Sequence, residues 1–150
     1  MNIEKIIKSN KKLNTNQSLI INMLYTQQWV RDSMSSYIKG YDLSLEQFNV
    51  LRILRGNKGQ PMNLNEIQER MVTRMSNTTR LIDKLIAKDL VNRNACPSNR
   101  RKIDICILPK GEALLRKIDE SIENQEASLL SNLSSIEKEQ LTYLLNKLRN

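Results

Sequence analysis

Residues 75–88 read MSNTTRLIDKLIAK. Met75, Leu81, Ile82, Leu85 and Ile86 recur at three- and four-residue steps, which predicts a helix with one buried stripe. The opposite face offers Ser76, Asn77, Thr79, Arg80 and Lys84. A face that is small, polar and cationic suits the major groove of duplex DNA, where base edges present donors and acceptors. This helix lies within a longer stretch, Asn63 to Leu108, that reads as two short helices in a tight turn and then a hairpin with a basic tip. Asn65-Glu66-Ile67-Gln68 carries a capping pattern and predicts the first helix at about Glu66 to Met71. Val72-Thr73-Arg74 is the turn. An arginine at position 74 opposes the helix dipole but is well placed for a phosphate.

Downstream, Leu90-Val91-Asn92-Arg93 begins a strand, and Pro97-Ser98-Asn99 breaks it. Lys102 to Leu108 returns in strict alternation, with Ile103, Ile105 and Ile107 on one side and Lys102, Asp104 and Cys106 on the other. A hairpin centred on Asn99 sets Cys96 opposite Lys102 and Cys106 opposite Asn92. Four residues of strand, roughly 13 Å, then separate the thiols, too far for an intrachain disulfide. Buried or bystander thiols are the expectation.

Working outward, Leu43 to Phe48 is a helix start: Ser44 caps, Gln47 reciprocates and Leu43 staples onto Phe48. Phe48, Leu51 and Leu54 form its buried stripe. Gly56, Asn57 and Gly59 end it, and Pro61 forbids continuation. A long helix precedes it from Gln17 to about Lys39, closed by Gly40 in the left-handed conformation. At 1.5 Å per residue it is roughly 35 Å long. Residues 1–16 are Lys- and Asn-rich and read either as a short amphipathic helix or as a frayed arm. After the hairpin, Pro109-Lys110-Gly111 leads into a helix at about Glu112 to Leu130. Ser134 to Glu137 then caps a last one that runs to about Leu148. The end helices carry more apolar surface than a small central unit covers. They are therefore expected to pack across a symmetric dimer, with a monomeric helical bundle as the alternative.

The chain has 150 residues with 39% hydrophobic content, enough for one domain with a real core. Its formal charge is +8, which suits a polyanionic partner but also plain solubility. Histidine is absent, which removes the commonest metal ligand and general base. Two cysteines cannot build a zinc site alone. There is no Gly-rich phosphate loop, and no thiol is paired with a base. An enzyme, a metal site and a cofactor are therefore not expected. The apolar runs are too short for a membrane span and the N-terminus does not resemble a secretory signal, so a cytoplasmic location is expected.

Charge is distributed unevenly. Arg70, Arg74, Arg80, Lys84, Lys88, Arg93, Arg100, Arg101 and Lys102 fall between Arg70 and Lys102, opposed there by Asp83 and Asp89. Acids concentrate elsewhere, notably Asp119, Glu120, Glu123, Glu126, Glu137 and Glu139. Against a merely solvated surface stands the coincidence of this basic cluster with the paired helices and the hairpin tip. Neutralising phosphates there would make affinity fall steeply with salt.

These residues also resemble a known family. Leu64-Asn65-Glu66-Ile67, Thr79-Arg80-Leu81-Ile82-Asp83-Lys84-Leu85, Leu90-Val91-Asn92-Arg93, Arg100-Arg101 and Leu108-Pro109-Lys110-Gly111 are similar, in order and spacing, to the winged helix–turn–helix of MarR-type bacterial transcription regulators. The resemblance spans about Gln17 to Leu148. It implies a mainly α fold with a small β-hairpin wing (α+β), a DNA-binding lobe at about 43–108, and dimerisation helices in about 1–40 and 110–150. It places Ser76, Asn77, Thr79 and Arg80 at base edges and Arg100 or Arg101 in the adjacent minor groove, where narrowness concentrates negative potential. Arg74, Lys84 and Lys102 are the expected phosphate contacts.

The sequence departs from the family pattern at Asn99 (usually Asp), Asp89 (usually Gly) and Pro109 (usually Thr). The family's small aromatic effectors suggest a pocket lined by Tyr25, Trp29, Tyr37, Tyr41 and Phe48, for each of which plain core is the competing reading. The expectation is a homodimeric, sequence-specific regulator of double-stranded DNA, acting as a repressor on a pseudo-palindromic operator. The rivals are a winged-helix protein-interaction module and a sequence-blind DNA-binding protein.

Overall fold

The computed structural model describes the backbone of residues 2–73, 77–96 and 99–150, and the side chains of residues 2–73, 77–94 and 103–150. The chain forms two compact units, Met1–Tyr37 and Ile38–Asn150.

In the first unit the expectation of either a short helix or an arm resolves into α1, Ile3–Ile6, a single turn capped by Asn2. The Glu4 carboxylate then accepts the Leu13 N–H at 2.7 Å and folds the following loop back. Asn14 and Gln17 exchange side-chain-to-backbone hydrogen bonds of 2.9 and 3.2 Å, so α2 starts at Thr15, slightly before the predicted Gln17, and runs to Lys39. Leu19, Ile20, Leu24, Tyr25 and Trp29 all lie exposed along it.

The second unit begins with a correction. Gly40 is not left-handed; Asp42 is, at φ 56°. Tyr41 and Asp42 donate to the carbonyls of Ile38 and Lys39, so the helix tightens by one further turn before the chain reverses. Helix α3, Leu45–Gly56, opens with the predicted Ser44–Gln47 capping box and buries Phe48, Val50, Leu51 and Leu54. Lys58 and Gly59, both at positive φ, turn the chain after it.

Helix α4 spans Leu64–Arg70 and is capped by Asn63 with Glu66, two residues before the predicted start. Just ahead of it Met62 pairs with Ile105 through two backbone hydrogen bonds of 3.0 and 2.8 Å, adding a one-residue rung to the hairpin's other edge. Helix α5 spans Thr78–Ala87. The expected helical residues Met75 and Ser76 lie outside the described residues.

Strands β1, Val91–Cys96, and β2, Asn99–Ile107, form an antiparallel pair. Cys106 lies opposite Asn92 as expected, but Cys96 lies opposite Asn99 rather than Lys102, because the register shifts between Ala95 and Cys96. Ala95 pairs with Ile103, so positions 100–102 are an excess on β2 that has no counterpart on β1. Of the alternating isoleucines, Ile105 is buried, Ile107 half-buried and Ile103 exposed, as the hairpin leaves the core.

Helix α6 runs Pro109–Leu129, a turn longer at its start than predicted, with Pro109 inside the first turn where a missing N–H costs nothing. Its Leu115, Ile118 and Ile122 bury. Arg55 of α3 forks onto Asp119 at 2.5 and 3.2 Å, and the Tyr41 and Ser121 hydroxyls meet at 2.9 Å. Helix α7, Ser135–Arg149, has the predicted Ser134–Glu137 box and buries none of its residues.

Candidate nucleic-acid interface

Helix α5 divides as its periodicity requires. Thr78, Leu81, Ile82 and Leu85 are buried. Asn77, Thr79, Arg80 and Lys84 are exposed, with Asp83 among them. The buried side holds the helix at a fixed attitude, and one polar contact sharpens it: Gln68 Nε2 of α4 donates to the buried Thr78 hydroxyl at 3.0 Å. The bond fixes geometry chiefly through Thr78, the buried partner, since a buried hydroxyl left unsatisfied costs about 1–3 kcal/mol.

The far end of α5 is fixed by backbone geometry. The Leu90 N–H reaches the Leu85 carbonyl at 3.0 Å and the Asp89 N–H reaches Ile86 at 2.9 Å, the two bonds of a Schellman closure. It needs a left-handed residue between them, and Asp89 supplies it at φ 57°, the geometry expected where the family pattern has glycine. Gly111 then packs against this turn. A Cβ on Gly111 would fall within 3.0 Å of the Leu90 carbonyl oxygen, so α6 can approach only because residue 111 has no side chain.

The basic cluster separates by function. Arg70 donates to Asn57 Oδ1 at 3.3 Å and approaches the Met62 sulfur, bracing the loop before α4. Arg93 of β1 binds Asp83 of α5 at 2.9 Å, which ties the wing to the helix and neutralises the acid on its outer face. Lys88 pairs with Asp42 at 3.0 Å. Arg80 and Lys84 carry no ion pair or hydrogen bond among the described residues, leaving two cations on the face of α5 for an outside partner.

Of the remaining expected contacts, Arg74 and Ser76 lie outside the described residues. Arg100, Arg101 and Lys102 are described as backbone in the β2 excess near the hairpin tip, but their side chains are not. The structure therefore brings Asn77, Thr79, Arg80 and Lys84 onto one face and leaves the wing-tip arginines as sequence expectations. It adds Gln68, Asp83 and Arg93 as positioning residues. No motif announced these, since Asp83 and Arg93 meet only once the helix and strand have packed.

The expected effector residues differ in environment. Tyr25 and Trp29 are about half exposed on α2. Phe48 is buried in the core of the second unit with Arg52 over its ring, 5.6 Å from the centroid. Cys106 is a free thiol whose pKa is pushed up by burial, and further by the neighbouring Asp104 carboxylate, so it stays protonated and a poor nucleophile. Among the described residues no cluster of His, Cys, Asp or Glu could hold a metal ion, and no helix is long and apolar enough to cross a membrane.

Comparison with known proteins places this architecture. Residues 43–103 match the family model described as MarR family. The HTH-type transcriptional regulator MhqR of Bacillus subtilis is 32% identical over 120 residues, covering 79% of this chain and 80% of the relative. A MarR mutant from Escherichia coli, solved in complex with operator DNA, superposes with a TM-score of 0.78 at 22% identity, covering 97% of this chain and 96% of that one. Bordetella bronchiseptica BpsR, solved in a study of how 6-hydroxynicotinic acid regulates its DNA binding, gives 0.74 at 23% identity over 85% of this chain and 96% of that one. With helix, turn, helix and hairpin wing in this order, and with a curated relative at that identity, the chain belongs to the MarR family of transcription regulators.

Proposed function

We propose that this protein is a homodimeric, sequence-specific binder of double-stranded DNA that represses transcription from a pseudo-palindromic operator. The observation that carries the reading is the division of α5: a buried side that fixes its attitude, and an exposed face of Asn77, Thr79, Arg80 and Lys84 whose cations have no acid partner among the described residues. Asn and Thr can bond base edges, and Arg can take the O6 and N7 of guanine in a bidentate contact. Lys84, with Arg74 and Lys102, would neutralise phosphates. Arg100 or Arg101 would enter the neighbouring minor groove.

The dimer part rests on surface that one chain leaves open. Leu24 of α2, and Ile136, Tyr143, Leu144 and Leu148 of α7, are each more than half exposed. So much apolar surface on two terminal helices is what a symmetric partner covers. Two copies would set their α5 helices about one helical turn of DNA apart, roughly 34 Å. A dimer held on that duplex would exclude other proteins from it, which is the basis for proposing repression, in the cytoplasm.

A small aromatic effector is part of the proposal, by extension from BpsR. The exposed Tyr25 and Trp29, with Tyr37 on the same helix, are its candidate contacts, and it would act by favouring a helix spacing that does not fit the operator.

Selection from a random duplex pool tests the reading. Enrichment of one inverted repeat, with half-site centres about one helical turn apart, is the expected result. Salt-sensitive binding without enrichment would instead identify a sequence-blind DNA binder, and no duplex binding at all would favour a protein-interaction module.

A further inference from the structure

Beside the reading face lies a groove in which Lys84, already assigned to a phosphate, meets residues that have been given no role in DNA contact. It has a volume of ≈ 420 Å³, and its walls include Lys39, Asp42, Ser44, Gln47, Lys84 and Lys88. They come from the end of α2, the start of α3 and the second half of α5. Three lysines and one aspartate line it, and that aspartate is already paired. Asp42 binds Lys88 at 3.0 Å, and its left-handed backbone also turns its carbonyl to the same ammonium. Lys39 and Lys84 have no ion-pair or hydrogen-bond partner among the described residues. Two lysines without an internal partner on the walls of one concavity make it a favourable place for an anion. The start of a 12-residue helix also lies there, its positive end offset in part by Glu46 in the first turn. Its cap, Ser44, uses its oxygen to accept from Gln47 N–H at 3.1 Å, which leaves the hydroxyl hydrogen available as a donor.

We propose that this groove is a phosphate-oxyanion site, held by Lys39, Lys84 and the Ser44 hydroxyl, with Lys88 fixed at its rim. The inference rests on the DNA-binding reading, because Lys84, one wall of the groove, stands on the exposed face of α5. A backbone phosphate beside the major groove would fill it in the complex. Free phosphate offers the same chemistry.

The test compares wild type, Lys39→Gln and Lys39→Arg on a selected repeat and on random duplex across a salt series, with thermal melts to confirm folding. Lys39→Gln should lower the slope of log affinity against log salt by about one per groove. It should weaken both duplexes by the same factor, about fivefold per groove at 0.15 M salt, and Lys39→Arg should restore both readings. In parallel, inorganic phosphate is titrated at constant ionic strength while the backbone amides of residues 39, 44 and 84 are followed by NMR. Saturable shifts that disappear in Lys39→Gln support the site with free phosphate as an occupant. A changed DNA slope without such shifts supports it with the duplex as sole source. If wild type binds duplex with a normal salt slope, Lys39→Gln matches it and phosphate moves nothing, the site is overturned while the DNA reading stands. If no duplex binds, the DNA reading fails separately, and the phosphate titration alone decides whether the groove takes an anion.

Discussion

Asp89 sits at φ 57° in the turn that closes α5, a conformation in which a Cβ crowds the neighbouring carbonyl oxygen. Its carboxylate is 3.7 Å from Lys110, but both side chains are mostly exposed and such a pair contributes little. Strain therefore outweighs the ion pair. Asp89→Gly should stabilise the fold by about 0.5–1 kcal/mol in urea unfolding; a loss would mean that the carboxylate matters more than its geometry suggests. Gly111 poses the opposite case in the same turn. The atom that a new Cβ would meet is the Leu90 carbonyl oxygen, which is backbone and already accepts the Leu108 N–H at 2.9 Å. It cannot swing aside as a side chain would. Gly111→Ala should cost about 1–3 kcal/mol by the same measurement, toward the upper end.

Among the elements, those whose ends are fixed within one turn were legible in the sequence. The Ser44–Gln47 and Ser134–Glu137 boxes each bring their partners together three residues apart, and both formed as expected. Where two local solutions competed, the sequence could not choose. Asn63 with Glu66 and Asn65 with Gln68 both satisfy the capping pattern. The earlier pair prevails where Met62 is held to Ile105 and Ile67 is buried. The same limit explains the turn after α2, where glycine was the natural choice on conformational grounds, yet Asp42 takes the left-handed position and pairs with Lys88, 46 residues away. The wing register departs from a hairpin centred on Asn99, which has equal arms, because β2 carries three more residues than β1 beyond Ala95.

Helix α7 offers an acid test of its own cap. Hydrogen bonds from the Ser134 hydroxyl and then its backbone N–H hold Glu137 below its ordinary value of 4.5. A depressed carboxylate contributes stability above its unfolded value and loses it as pH falls through the folded one. The first turn of α7 should therefore fray only below pH 4.5, seen as a fall in amide protection relative to the intrinsic exchange rate at each pH. Ser134→Ala removes the hydroxyl but keeps the backbone N–H, so the Glu137 titration followed by NMR should rise toward the ordinary carboxylate range while staying depressed in part.

At the scale of the molecule, the reading surface was more legible than its supports. Apolar spacing alone separated the two sides of α5, whereas the Gln68–Thr78 bond, the Asp83–Arg93 tie and the lysine groove depend on residues that meet only after packing. The proposed assembly has its own consequence. Helix α7 buries no residue within one chain, so polar substitutions on it should leave the second unit folded. Leu144→Asp with Leu148→Asp should give a monomer by sedimentation, with an unchanged melt of the lobe and lost preference for an inverted repeat. A dimer that persists would move the interface elsewhere.

The most direct test of the claim that α5 reads DNA is to repeat the random-pool selection with Arg80→Ala. If α5 reads the bases, the inverted repeat survives with its spacing, but discrimination is lost at one position in each half-site. Binding to the original repeat should fall by about 1–3 kcal/mol more than binding to random duplex. An unchanged motif, with equal losses on both duplexes, would show that Arg80 only grips the backbone and that the sequence is read elsewhere.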